Sequence, residues 1–399
     1  MSWSPKKLNQ LGSVARGRSR HRPRDSEHLY GGPHPFIQTG DVKHANLYVT
    51  EFTQTYSEAG LQQSKLWPTG TLCITIAANI ADTAILGVDA CFPDSVIGFI
   101  ADPKESDTRF VKYLFDATIK GRAKQFSQGA TQDNLSQEKL LSLDFDVPSV
   151  QEQIRIADIL STYDDLIENN RRRMTLLEES ARLLYREWFV RLRFPGYEHT
   201  PIVDGVPKGW ERRSAFDSMH VLSGGTPKTS MPDYWDGETP FFTPKDATDG
   251  IWVSTCERSV TELGIKNCNS KLYPRETVFI TARGTVGKLN MAQVPMAMSQ
   301  SCYALVGKNH LSQRFVYSAM EAGVDALRQQ AVGAVFDAIV IDTFKRINLM
   351  VPPVPLLHLF DEAIAPIFDQ VENLAQQNQK LRAARDLLLP RLMSGELAV

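Results

Sequence analysis

Two stretches of the chain carry apolar residues at spacings that alternate between four and three. The first runs Ile156, Leu160, Tyr163, Ile167, Asn170, Met174, Leu177, Ala181, Leu184, Trp188. The second runs Phe360, Ile364, Ile367, Val371, Leu374, Asn378, Leu381, Arg385, Leu388, Leu392. A seam of this period predicts a long helix that pairs with another along one edge. Each helix would hold about 40 residues and span roughly 60 Å. Pro355 suits the start of the second helix, whereas Pro366 falls within its seam and predicts a kink, or a helix that becomes regular only beyond it. Elsewhere, short β-rich runs at 72–76, 96–100, 277–281 and 302–306 are punctuated by Gly, Pro and Asp. They predict globular α+β regions. No G-x-G-x-x-G turn or regular β-then-α alternation supports a dinucleotide-binding sheet.

Each seam contains one Asn, but at different heptad positions: Asn170 is a d residue and Asn378 an a residue. A parallel in-register pair would set Asn170 against Leu374. An antiparallel pair has a register that faces Asn170 with Asn378 and brings Arg385 to Tyr163, beside Asp164 and Asp165. Burying an unpaired amide costs about 1 to 3 kcal/mol, so matching the two selects register. The expectation is an intramolecular antiparallel coiled coil; the alternative is that both amides sit near solvent.

The chain also repeats itself. VPSVQEQIRIADILSTYDDLIENN from Val147 aligns without a gap on VPPVPLLHLFDEAIAPIFDQVENL from Val351, an offset of 204 residues. GATQDNL from Gly129 falls on GAVFDAI from Gly333 at the same offset; further upstream, where the offset drifts by a residue or two, PFIQTGD from Pro35 falls on PFFTPKD from Pro240 and TLCIT from Thr71 on TVFIT from Thr277. Four matches in one order predict a duplicated α+β module with a helical tail and a pseudo-twofold internal repeat.

Composition narrows the chemistry. The 399 residues are 42% hydrophobic and 23% charged, which excludes intrinsic disorder as the main state. The most apolar stretch, 71–92, is interrupted by Asp82 and Asp89, so no membrane span is expected. The first twenty residues lack the apolar core of a signal peptide, and five cysteines are too few for a disulfide framework, which together predict a cytoplasmic protein. No C-x-x-C or H-E-x-x-H spacing supports a metal site. Lys plus Arg number 44 against 46 Asp plus Glu, so the net charge of −2 gives no vote for a polyanionic partner. Only local clusters could supply one.

Three clusters qualify. The first 24 residues carry seven Lys or Arg and no acid; Arg18, Arg20 and Arg22 lie at their dense end, and Lys43 follows. The stretch suits phosphate contact, or equally a mobile solvated arm. In the second copy, SGGTPKTSMPDYWDGETPFFTPKD combines Gly and Pro turns with Lys228, Thr229, Tyr234, Trp235 and Lys245, which suits phosphate and base-edge contact; Trp235 serves equally as a local core residue. RGTVGK, with Arg283 and Lys288, lacks the glycine spacing and trailing Ser or Thr of a P-loop and reads as a tight turn after a strand. The first copy has AANIAD there. Arg171, Arg172 and Arg173 read chiefly as a solvated helix face. No methyltransferase tetrapeptide, nuclease or helicase signature and no nucleophile with a base is visible, which predicts a chain without a catalytic site.

The GGTP…YWDGETPFFTPKD stretch, RGTVGK with the following SQSCYAL from Ser299, the glycine anchors before Val-Pro at 147 and 351, and the terminal LLLPRLMSGEL resemble the specificity (S) subunit of type I restriction-modification enzymes across essentially the whole chain. The first half departs from the pattern by lacking GGTP and RGTVGK. The resemblance implies two target recognition domains, 1–146 and 195–346, each reading one half of an asymmetric, split site on double-stranded DNA. It implies spacer helices at 147–194 and 347–399 that form an antiparallel pair and dock two methyltransferase (M) subunits, with Trp188 and Phe189 as candidate apolar contacts. Restriction (R) subunits complete the assembly. No cofactor is expected on this chain; S-adenosylmethionine, ATP and magnesium belong to the partners. A coiled-coil scaffold with two protein-binding ends is the alternative.

Overall fold

A computed structural model describes residues 3–77, 80–119, 137–330 and 338–399. The chain divides into two compact units, Met1–Asn169 with Asn378–Val399, and Asn170–Gln377. This division cuts each long helix near its middle, unlike the expected boundaries between globular and helical parts after 146, 194 and 346.

The first unit is built on a five-stranded sheet of β1 (Gly12–Arg16), β2 (Tyr48–Val49), β3 (Leu72–Thr75), β4 (Thr83–Leu86) and β5 (Val96–Ala101), in the order β1-β5-β3-β4-β2. All neighbours are antiparallel except the β2/β4 pair. Strands β3 and β4 are buried along their whole length, which is why they appear in the sequence as continuous apolar runs. Alternate side chains serve two cores: Leu72 and Ile74 join Phe110, Leu114 and Phe115 of helix α1 (Thr108–Thr118), while Cys73 joins Trp67 and Phe92. Helix α1 starts where it does because the Asp107 carboxylate accepts from the amides of Arg109 and Phe110. Ser4–Lys7 pairs with Asp144–Val147, the strand that feeds the first long helix, α2 (Val150–Tyr185).

The second unit repeats this plan. Strands β6 (Met219–Ser223), β7 (Trp252–Val253), β8 (Val278–Thr281), β9 (Leu289–Ala292) and β10 (Cys302–Gly307) form the order β6-β10-β8-β9-β7, again with one parallel pair, β7/β9. Helix α3 (Gln313–Gln330) takes the place of α1, and Glu211–Ser214 pairs with Asn348–Val351 ahead of the second long helix, α4 (Val354–Met393). A side sheet recurs too: Tyr30–Phe36 against Gln54–Tyr56 corresponds to Trp235–Phe242 against Ser259–Val260, each with a register shift at the same place. The repeat seen in sequence is therefore a repeat of topology. Its glycine anchor at 129–135 lies outside the described residues, as does its counterpart up to residue 337.

The long helices bury the seams. In the first unit Ile156, Leu160 and Ile167 are buried, and the direction of the pair is antiparallel: Asp164 bonds to Arg385, and Ile167 further along accepts from Asn378 at 3.4 Å. In the second unit Tyr185 lies against Phe360 while Arg173 shares a groove with Leu374 and Gln377, the same sense. Helix α4 runs unbroken through Pro366, so it does not wait until beyond Pro366 to become regular. Pro366 is exposed, so the carbonyl that loses its helical partner faces water rather than the core. Pro355 occupies the first turn, where no amide is needed. Trp188 and Phe189 are not a free apolar platform. Phe189 is buried among Tyr185, Trp210, Phe315 and Phe360, and Trp188 packs on Phe360. Among the described residues, no helix is long and apolar enough to cross a membrane. Cys73, Cys91 and Cys302 are buried thiols, while Cys256 and Cys268 are partly so.

Candidate nucleic-acid interface

In the second unit two turns meet at one end of the sheet. The first, at 243–246, is held by the Asp246 carboxylate, which accepts from the Thr243 amide at 2.8 Å, the Thr243 hydroxyl at 2.6 Å and the Glu257 amide at 2.7 Å. Lys245 sits exposed in this turn with no ion-pair partner among the described residues. The second is the hairpin RGTVGK between β8 and β9. Thr281 fixes it: its hydroxyl donates to the Thr285 carbonyl and accepts from the Lys288 amide at 2.9 Å. Gly287 has φ +80°, a left-handed conformation that glycine adopts without strain. The Thr285 hydroxyl donates to the Pro244 carbonyl at 3.0 Å and ties the two turns together.

Arg283 projects from this hairpin next to Ala282, whose amide and carbonyl are both committed to the backbone, at 2.8 and 2.9 Å. Its guanidinium is exposed and has no acid partner among the described residues. Lys288 differs, because Asp249 pairs with it at 2.8 Å. Asp249 is almost fully exposed, so the pair is weak, yet it halves the positive charge the hairpin offers.

The GGTP segment leaves β6 at the same sheet end. A side chain on Gly224 would fall 2.3 Å from the Ser299 carbonyl, which explains the glycine by close backbone approach. Lys228 and Thr229 are exposed in the turn that follows. The Lys228 carbonyl accepts from Trp235 Nε1 at 3.2 Å. Trp235 is a core residue, 6% exposed, packed with Phe241, Val260 and Ala297, and Tyr234 is half-buried on the same cluster. Of the residues singled out in this half, Lys228, Thr229, Lys245 and Arg283 are free to meet a ligand; Tyr234 and Lys288 are partly committed.

Among the described residues, the first unit repeats the hydrogen bonds that anchor these turns and sets other side chains beside them. Asp41 accepts from the Gln38 amide at 2.7 Å as Asp246 does from Thr243, but the residue at the Lys245 position is Gly40. Thr75 bonds to the Asp82 amide at 3.0 Å as Thr281 does to Lys288, so an acid replaces the lysine. The Ile76 amide bonds to the Ser95 carbonyl as Ala282 does to Ser301, which places Ala77 where Arg283 stands. Ala81 takes φ +68° in the position of Gly287. Gly17, which would clash with the Phe92 and Pro93 carbonyls if it carried a side chain, matches Gly224. The half that lacks GGTP and RGTVGK thus keeps, among the described residues, the backbone contacts that flank them.

Its cations come from the stretch after Gly17, which is ordered rather than a loose arm. The amides of Arg20 and His21 share Gln63 Oε1 at 2.6 and 3.0 Å, and the Arg18 carbonyl accepts from Ser64 Oγ at 2.7 Å. Pairing thins the charge: Lys6 bonds Glu105, Arg24 bonds Asp94, and Arg22 folds back onto the Ser19 and His21 carbonyls. Arg18 and Arg20 remain exposed, without an ion pair among the described residues. Lys43 is exposed on the short helix Thr39–His44. In the long helices, Asn170 is 7% and Asn378 4% exposed, while Tyr163 is half-buried; Arg385 pairs with the Asp164 carboxylate, one residue beyond Tyr163, and with its neighbour Asp386 at 2.8 Å.

Sequence reasoning missed the caging aspartates Asp41 and Asp246, although PFIQTGD and PFFTPKD align them. It also passed over Arg258. Among the described residues, no group of three or more His, Cys, Asp or Glu is placed to hold a metal ion.

A family model described as the type I restriction modification DNA specificity domain matches the chain twice, at residues 2–179 and 207–384. The type I restriction enzyme MjaIX specificity subunit of Methanocaldococcus jannaschii is 26% identical over 100% of this chain and 94% of its own length. The HindI specificity subunit of Haemophilus influenzae is 21% identical over 91% of this chain and 94% of its own. Among solved structures, the S subunit of a type I restriction-modification system from M. genitalium superposes with a TM-score of 0.59 at 14% identity, covering 98% of this chain and 96% of that one, a likeness of fold.

Proposed function

Because the chain belongs to the family of type I restriction-modification DNA specificity subunits, we propose that its two units read the two unlike halves of a bipartite, asymmetric site on double-stranded DNA. What supports this reading is the repeated set of turn-anchoring hydrogen bonds with unlike side chains beside them: Lys245 against Gly40, Arg283 against Ala77, Lys288 against Asp82. One backbone framework with two sets of donors and charges suits two different base patterns in the major groove, where each base pair presents its own donors and acceptors. The cations at the tips supply phosphate contacts that set register.

The long helices fix the spacing between half-sites, a quantity that rigid elements determine. The first of them and the turn that follows it carry exposed apolar residues seven apart, Ile159 and Leu166 in one unit, Leu176, Leu183 and Val190 in the other. These faces dock two methyltransferase subunits. Methylation of adenine and ATP-dependent restriction are then the work of those subunits and of restriction subunits, which bring S-adenosylmethionine, ATP and magnesium. Co-expression with the cognate methyltransferase subunit tests the reading: site-specific adenine methylation is expected only when this chain is present. Methylation of the same sites in its absence would contradict it.

A further inference from the structure

We infer that Arg258 is a base-reading residue of the second unit, and that it recognises a guanine through the forked edge of its guanidinium. Arg258 lies outside every motif the sequence singled out. Its Cζ sits 3.4 Å from the centroid of the Trp235 ring, a stacked cation–π contact. Trp235 is itself immobilised by Phe241, Val260 and Ala297. The indole face therefore holds the guanidinium plane in place and leaves the in-plane N–H groups to other partners. No acid pairs with them among the described residues, and the side chain is exposed.

The position is tied to the rest of the interface. The same indole donates to the Lys228 carbonyl, and the amide of Glu257, next to Arg258, is bonded to Asp246, which also cages the Lys245 turn. Arg258 thus joins Lys228 and Lys245 through one aromatic ring and one carboxylate. In the first unit the strand register sets Gln54 in the corresponding place, opposite Phe36, and Tyr30 in that of Trp235. Gln54 already accepts from the Gln38 side chain at 2.5 Å. An arginine held flat matches guanine O6 and N7 bidentately, whereas a glutamine pairs with adenine. A phosphate contact needs no such fork, since a lysine serves it as a point charge.

This assignment rests on the specificity-subunit reading. Its test selects duplexes from a randomised pool with the full chain and its methyltransferase subunits, comparing wild type, Arg258→Lys and Arg258→Ala. Melting of the variants is checked first, because both changes are at an exposed side chain. Arg258→Lys is expected to lose at least tenfold discrimination at one G·C pair in one half-site while overall affinity stays within about threefold. Full discrimination in Arg258→Lys, with or without a uniform loss of affinity in Arg258→Ala, would overturn base reading and leave at most a phosphate contact. A wild-type complex that selects no sequence would instead overturn both this assignment and the proposed function.

Discussion

Tyr113 donates a 2.6 Å hydrogen bond to Asp164, whose other carboxylate oxygen accepts from Arg385. Three elements of the first unit meet at this carboxylate: α1 beneath the sheet and one segment from each long helix. The Asp164 side chain is fully buried and depends on Arg385 for its ion pair, whereas Arg385, 21% exposed, also pairs with Asp386 at 2.8 Å. The arginine in a seam otherwise rich in aliphatic residues is there for this acid.

Removing one partner strands the other. Arg385→Met is expected to cost about 3 to 5 kcal/mol, and Tyr113→Phe about 1 to 3 kcal/mol. Replacing Asp164 and Arg385 together by Leu and Met should recover most of the first loss. Denaturant unfolding followed by helix signal measures all three; a neutral Arg385→Met would show the pair to be incidental.

In the second unit Glu178 contributes a pH dependence. Burial raises its pKa, the effect outweighing the hydrogen bond from the Ile251 amide and the nearby Arg182 charge that act to lower it. The folded chain therefore holds this proton to higher pH than the unfolded chain does. Its contribution to stability is fully present below the ordinary glutamate value of about 4.3 and is lost as pH rises through the raised folded value. Glu178→Gln keeps an acceptor for Ile251 and removes the titration. The stability of the variant relative to wild type should thus grow between pH 4 and neutrality, and a pH-independent difference would contradict the assignment.

Salt dependence separates free cations from paired ones. Lys245→Ala and Arg283→Ala should each lower the slope of log affinity against log salt by about 0.9 on duplex DNA. Lys288→Ala should lower it by less, because Asp249 already offsets that charge. Arg18→Ala and Arg20→Ala should behave as Lys245→Ala does. Equal slopes for the wild type and all five variants would remove these residues from the DNA surface.

The caging aspartates act through their turns and touch no DNA in this account. Asp246→Ala frees the amides of Thr243 and Glu257 on an exposed loop, so melting should change little. Sequence discrimination should fall in one half-site only, and Asp41→Ala should produce the same fault in the other half-site. A single half-site affected by both variants would contradict the assignment of one turn to each half.

Much of this architecture was legible because it rests on periodicity. The four-three spacing marks both long helices, and the gapless match at Val147 and Val351 exposes the duplication, since seams and strand entries tolerate few changes of polarity. The tips of the turns were less legible. Gly40 and Lys245 share no chemistry, and their common role is visible only once the Asp41 and Asp246 hydrogen bonds are seen. Pro366 misled because its effect depends on which side of the helix faces water, which spacing leaves open. Trp188 and Phe189 misled for a related reason: they follow the regular part of α2 and turn into a cluster with Phe315, a residue distant in sequence. Arg258 gave no local signal, because its anchor, Trp235, lies on another strand.

The central claim is that one framework, used twice with different tips, reads two dissimilar half-sites. Genome-wide mapping of methylated adenines, in cells with and without this chain, tests it most directly. One motif of two unlike halves at a fixed separation is expected, lost when the chain is deleted. A palindromic motif, or the same motif persisting after deletion, would contradict it.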